Sequence, residues 1–325
     1  MRYIYQILAI VGLLVPMSFN AAHAASAPAD STSNKVATSD LQTDARGIAV
    51  FIEPLYWHPT ETVDWAFTND ESLPNQHVDY KTIDFDYATG MRVGVGYSGS
   101  WDTDLYYTKY DTDSKASTSG NVTSAFLGAK LSSPSQGFSF NAGQVDADID
   151  FNMFDWDLGK RIYVNEALML RPIIGLRGGW IDQSIDTAFQ GSQSVTENIK
   201  NDFTGIGPKV GIDGKLTVAG DDDYQLNVVA NFASAYLWGH WDIKDVLYDS
   251  NGRMIDIATK DRHEGELALQ ALLGVSLDYK QLSVKLGYEI NDYLNQMQIF
   301  DDASGGHKND LILQGVTLRF TYHFC

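Results

Sequence analysis

The sequence predicts an all-β fold: a transmembrane antiparallel up-and-down β-barrel of about ten strands behind an N-terminal signal peptide. Three observations carry this. Leu311 to Phe324 alternates strictly, with Val316, Leu318, Phe320, Tyr322 and Phe324 on one face and Gly315, Thr317, Arg319, Thr321 and His323 on the other. Alternate aromatics ending such a run belong at a membrane interface, where transmembrane strands carry their girdles. The connections between candidate strands run long, short, long, short, the asymmetry of outer-membrane barrels with long external loops and short periplasmic turns. Finally, no segment after residue 24 approaches a transmembrane helix, and in lipid only helices and closed barrels satisfy every backbone group.

Residues 1–24 carry one positive charge at Arg2, an apolar run from Ile7 to Met17 and the small-residue site Ala22-His23-Ala24. That is the pattern of a secretory signal cleaved before Ala25. The run is half the length of a spanning helix and Pro16 interrupts it. Residues 25–46 are rich in Ser, Thr, Ala and Asp with almost no large apolar side chain, so they bury too little to offset ordering and read as a flexible tail. The barrel is expected over 47–325. The 28 glycines and 39 aromatics of the whole chain suit strands and tight turns, and Cys325, the one cysteine, has no internal disulfide partner.

Ten strands are expected, roughly at Gly47 to Trp57, Lys81 to Tyr97, Trp101 to Tyr110, Val145 to Arg161, Ala167 to Ile185, Phe203 to Thr217, Tyr224 to Trp241, Glu266 to Tyr279, Leu282 to Leu294 and Leu311 to Phe324. Weak alternation at Ala125 to Ser132 would add a hairpin and raise the count to twelve. The long, external connections are then His58 to Tyr80, Asp111 to Gln144, Asp186 to Asp202, Asp242 to Gly265 and Asn295 to Asp310.

Facing follows from parity. Leu168, Leu170, Ile174, Leu176 and Trp180 oppose Arg171, Gly175, Arg177 and Gly179, and similar splits recur at Lys209 to Leu216 and Val284 to Ile290. An Arg or Lys facing lipid costs roughly 2 to 4 kcal/mol at the midplane, so the charged faces line the lumen. A soluble barrel would invert this. One strand departs from the pattern: Asp146, Asp148 and Asp150 share one parity, Asp155, Asp157 and Arg161 the other. A β-bulge or a loop ending near Asn152 would account for it, and the loop is preferred because about 9 to 11 residues suffice to span.

The lumen and constriction candidates are Arg92, Asp155, Asp157, Arg171, Arg177, Lys209, Lys285, Glu289 and Arg319, within a set of eight bases and eight acids that also holds Arg161, Lys215, Glu53, Asp102, Asp104, Asp213 and Asp278. Such a set either braces a narrow barrel with ion pairs, Asp155 and Asp157 facing Arg171 and Arg177, or forms a charge-selective constriction. The first external segment holds Asp64, Asp70, Glu71 and Asp79 among five acids and no base. Those acids would gather cations at the mouth.

Chemistry motifs are absent: no P-loop, no HExxH and no G-x-S-x-G. Asp111-Thr112-Asp113-Ser114 lacks the remaining ligands of a Ca²⁺ loop. His240, beside Trp238, Trp241 and Asp242, reads as part of an interfacial girdle. No catalytic residue, cofactor or metal site is assigned, and the chain is expected not to be an enzyme. With Arg2 removed the net charge is about −20, which disfavours nucleic acid and anionic surfaces as partners and leaves cations plausible.

Phe51-Ile52-Glu53-Pro54-Leu55-Tyr56-Trp57, Phe85-Asp86-Tyr87, Gly90-Met91-Arg92-Val93-Gly94-Val95-Gly96-Tyr97 with Trp101-Asp102, Leu170-Arg171-Pro172-Ile173-Ile174-Gly175-Leu176-Arg177 and Gly205-Ile206-Gly207-Pro208-Lys209 come in that order. This series resembles the Legionella major outer membrane protein family of pore-forming proteins, from about Gly47 to the end. The resemblance implies an outer-membrane barrel of a Gram-negative cell with pore activity and surface exposure, and supplies no catalytic residues. Cys325 after the terminal Phe324, and the lack of further cysteines, depart from the family and put covalent oligomers in doubt. The expected function is therefore a porin-like pore for small, cation-preferred solutes. The alternative is a structural or surface-interaction barrel with a side-chain-filled lumen. Expected partners are outer-membrane lipid and lipopolysaccharide, the barrel-assembly machinery and small solutes.

Overall fold

The structure, a computed structural model, describes residues 47–70, 77–130, 140–221, 223–301 and 305–324. The expected signal and tail, Glu71 and Cys325 lie outside the described residues. Thirteen strands follow in order: β1 (Gly47–Thr60), β2 (Asp64–Asp70), β3 (His77–Thr82), β4 (Ala88–Ser98), β5 (Asp102–Ser124), β6 (Phe140–Gly159), β7 (Ile162–Tyr163), β8 (Leu168–Gly191), β9 (Val195–Gly220), β10 (Tyr224–Asp249), β11 (Met254–Tyr279), β12 (Leu282–Asp301) and β13 (Gly305–Phe324). A single 3-10 turn spans Leu127–Lys130, and no α-helix occurs among the described residues.

Ten of these strands close a ring, β1-β4-β5-β6-β8-β9-β10-β11-β12-β13, every pair antiparallel and β13 returning to β1. Closure leaves no edge facing lipid. Segment Ala125 to Ser132 adds no hairpin. Its described part is a bend and the 3-10 turn, so the ring holds ten strands and not twelve. The β2–β3 hairpin stands outside the ring and pairs with the outer end of β5.

The expected external loops are largely strand. β9, β10 and β11 each run 26 residues and β8 runs 24, more than twice what a membrane requires. The surplus stands beyond the bilayer. Gly252, at a φ of 72°, lets β10 turn sharply into β11, a left-handed geometry that glycine adopts without a Cβ penalty.

The facing change expected near Asn152 does not occur. Register passes through Lys109↔Asn152 and Asn152↔Trp180 without a shift. Parity on β6 is constant, with Val145, Ala147, Ile149, Phe151, Met153, Asp155 and Asp157 all buried inside. What changes at Asn152 is the solvent outside. Below it Phe154 and Trp156 face outward, and above it Asp146, Asp148 and Asp150 do.

Most of the long strands repeat this inversion; β11 departs from it, with Ile255 and Ile257 exposed on the outside of its outer end. In the periplasmic half Val95, Leu105, Ile174, Leu176, Ile206, Val210, Phe232, Leu273, Leu286 and Phe320 are exposed on the outside, and the interior is charged. In the outer half the exterior is polar and the interior is a continuous cluster including Trp57, Tyr110, Phe151, Phe203, Trp241, Tyr293 and Leu313. The hydrophobic effect puts apolar side chains wherever water is not: against lipid below, inside the cylinder above.

Candidate functional site

The site that decides between pore and plug is the bore. At the periplasmic mouth its lining charges are partly solvated. There Arg161 meets Asp102 at 2.9 Å, Arg171 reaches Asp213 at 2.9 Å and also Asp104, and Lys215 meets Asp278 at 2.6 Å. These side chains keep 9 to 31% of their surface in solvent.

Above them a belt of charges crosses the lumen. Arg319 of β13 donates to Glu53 of β1 at 2.6 Å, and Glu53 also accepts from Arg92 of β4 at 3.2 Å. Arg92 holds Glu289 of β12 through two nitrogens at 3.0 and 3.1 Å and Thr108 at 2.9 Å. Glu289 accepts from Gln270, whose Oε1 accepts from Arg177 at 2.8 Å. Arg177 donates to Asp155 at 2.7 Å, and Lys209 joins Asp155 and Asp157 at 2.9 and 3.0 Å. Tyr106 closes the series by donating to Asp157 and accepting from Lys209. Glu53 and Glu289 are 0% exposed, Lys209 2%.

The expected lumen residues are thus all inside, but their pairing differs in one respect. Asp155 does face Arg177, as their direct register dictates. Asp157 lies opposite Gly175 and takes Lys209 instead, while Arg171 turns down to Asp102, Asp104 and Asp213. Lys285 sits 3.9 Å from Glu53. Buried ions of this kind each carry a desolvation cost of several kcal/mol that only a complete network offsets. In the belt every buried charge has at least one oppositely charged partner, while Glu53 Oε1 and Asp157 Oδ1 take no hydrogen bond.

The third layer is apolar. Phe203 and Trp241 pack with ring centroids 4.4 Å apart, Phe151 meets Tyr293 edge-on at 5.4 Å, and Trp57 lies 5.7 Å from Tyr110. The Phe203 ring lies over Gly239, where a Cβ would sit 1.9 Å from it. The outer end of β12 leans inward: Met297 and Ile299 are buried, and the Gln296 carbonyl accepts from Trp241 of β10 and Asn201 of β9. The 3-10 turn closes the other side, with Glu197 accepting from Ser124 and from the Gly128 amide at 3.1 Å each.

The expected acidic mouth is less bare than the sequence implies. Asp64 accepts from Thr82, and Asp79 is ion-paired with Lys81, which lies just beyond the segment counted as free of bases. Asp70 pairs in register with His77 at the tip of the β2–β3 hairpin, and Glu71 lies outside the described residues. His240 faces outward and stacks on His263 across β10–β11, centroids 4.6 Å apart. Asp111 and Asp113 face outward on β5.

Two features escape a reading of separate strands. One is the neutral part of the belt, Tyr106, Gln270 and Thr108. The other is a rung of six aspartates on the exterior, Asp111↔Asp150↔Asp182↔Asp202↔Asp242↔Asp261, running across β5, β6, β8, β9, β10 and β11. It stands one rung above Lys109, Asn152, Trp180, Thr204, His240 and His263. Each is the first or second outward residue beyond the last lipid-facing one on its strand, a signal visible only once register is known.

The sequence matches the model of one protein family, the Legionella pneumophila major outer membrane protein precursor, over residues 43–324. The chain belongs to that family. Its outer-membrane location accords with the lipid-facing belt. No curated protein sequence matches the chain. Among solved structures it is similar to the outer membrane protease OmpT from Escherichia coli, with 12% identity, 86% of this chain and 97% of that one covered, and a TM-score of 0.46. The Pseudomonas putida toluene transporter TodX gives 10% identity, coverages of 86% and 90% and a TM-score of 0.29. The transport unit of the E. coli autotransporter AIDA-I gives 10%, 90% and 95%, and 0.29. In this member of the Legionella family, then, the features that bear on function are a charged belt, an apolar plug above it and a water-facing outer cylinder.

Proposed function

We propose that this protein is a structural and surface-interaction barrel of the outer membrane, closed at rest, whose outer half presents a polar β-cylinder at the cell surface. One observation supports this above the others: the interior of the outer half is a buried apolar core, which an aqueous passage would have to displace. A conducting bore keeps its lining wet, whereas here Trp57, Phe203, Leu237, Leu311 and Leu313 are 0% exposed. The reading assigns no catalytic residue.

The second reading is a narrow, cation-preferring pore, favoured by the partly solvated charges at the periplasmic mouth. Planar-bilayer recording of the refolded protein separates the two. The closed barrel gives no steady conductance in 0.1 M or 1 M KCl. Steady channels with a K⁺ preference that fades at 1 M, where the Debye length falls from about 10 Å to about 3 Å, would establish the pore and overturn the closed reading.

A further inference from the structure

Outside the bore, the outer cylinder carries a hollow of about 640 Å³. It is formed by two successive cross-strand rungs on the exterior of β5, β6, β8 and β9: Lys115↔Asp146↔Asp186↔Asn198 and Ser117↔Gln144↔Ala188↔Thr196. All eight share the outward parity of Tyr107, Phe154, Trp180 and Thr204, so the hollow opens on the side where neighbouring lipids stand.

Its height is fixed by the strand. Asp186 is six residues beyond Trp180; at about 3.3 Å per residue and a tilt of about 40°, the hollow lies roughly 15 Å above the lipid interface. At that level a membrane lipid offers its sugars, not its phosphates or acyl chains.

The lining points the same way. Lys115 is held by Asp146 at 2.5 Å and Asn198 donates to Asp186 at 2.6 Å. The other Asp146 oxygen, Oδ1, is shielded and takes no hydrogen bond. One cation against two carboxylates, with Asp113 and Asp148 one rung below, makes a negative field that repels a bare phosphate or carboxylate. The lining holds no aromatic and no large apolar anchor of the kind a peptide needs. Amide, hydroxyl and carboxylate groups on a concave surface suit the hydroxyls of uncharged sugars.

We propose that this hollow binds the sugar portion of an outer-leaflet glycolipid, held laterally against the barrel wall. It goes beyond the closed-barrel reading, since it concerns the exterior and requires nothing of the bore. The probe is the neutral oligosaccharide fraction, free of phosphate and acidic sugars, released from purified lipopolysaccharide of the host membrane, titrated calorimetrically against the refolded barrel. Ala188→Trp fills the hollow, and Asp186→Ala with Asn198→Ala removes one carboxylate and one amide from its lining; heat-modifiable migration certifies that both variants are folded.

The wild type should bind the oligosaccharide, and both variants should bind it at least tenfold more weakly, while lipid A, which lacks that oligosaccharide, binds all three equally. Should the two variants hold the oligosaccharide as tightly as the wild type, or the folded wild type bind none, the site is overturned. Equal binding of an unrelated soluble dextran would overturn the glycolipid as occupant. A conductance seen in the bilayer would refute the closed barrel and leave these outcomes unchanged.

Discussion

Glu61 shows what a single buried carboxyl costs in the outer half. It lies between β1 and β2, almost out of solvent, with one hydrogen bond from Gln183 at 2.8 Å. Burial raises its pKa to about 7, and the Gln183 bond offsets only part of that. Unfolded, it ionises at the ordinary 4.5. Below that value both states are protonated and stability is unaffected. Between about 4.5 and 7 the folded state holds a proton the unfolded one has lost, so stability falls as pH rises and then levels off, by about 3 kcal/mol in all. Glu61→Gln should therefore match the wild type at pH 4 and exceed it at pH 8 in denaturant melts of the refolded barrel. A melt of Glu61→Gln that kept the whole wild-type loss between those pH values would exclude Glu61 as its source. The glutamate itself was legible in the sequence only as one more acid of an external segment. Its burial comes from the strands that fold over it.

At the scale of the strand, alternation was legible and solvent was not. Leu168 to Trp180 and the terminal β13 face as parity dictates, because a two-residue period survives any neighbour. Asp146, Asp148 and Asp150 share the facing of Phe154 and Trp156, and in the sequence apolar-out below Asn152 and polar-out above it mimic two directions. They are one direction in two solvents. For the same reason the outer ends of β5, β9, β10 and β11 read as loops in the sequence, since a strand whose outward side faces water resembles neither a lipid-facing strand nor a turn. If the boundary lies at Trp180, a charge below it must cost more than one above it. Leu176→Arg should reduce the folded, heat-modifiable fraction by the equivalent of roughly 2 to 4 kcal/mol, whereas Gln190→Arg on the same face should leave it within error of wild type. Equal losses would remove the boundary. Accessibility gives a companion check: a tag after Asn251 should label on intact cells, and one in the turn between β9 and β10 should not.

For the whole molecule, belt and plug are two seals in series, built from opposite chemistry in one cylinder. The charges of the belt were legible because Arg and Lys avoid lipid; the plug was not, since Trp57, Tyr110, Phe203, Trp241 and Tyr293 lie far apart in sequence and meet only on closure. Two seals in series predict a non-additive response. Phe203→Ala with Trp241→Ala opens the plug at about 3 to 5 kcal/mol per ring, yet ions still meet Glu53, Arg92 and Glu289 beneath. Arg92→Ala with Glu289→Ala opens the belt without stranding either charge, because Glu53 keeps Arg319 and Lys285, yet the aromatic layer remains above. Neither pair alone should give steady conductance in a bilayer, and the four together should. If either double variant alone conducts as well as the quadruple one, the other layer is no barrier, and closure rests on a single seal.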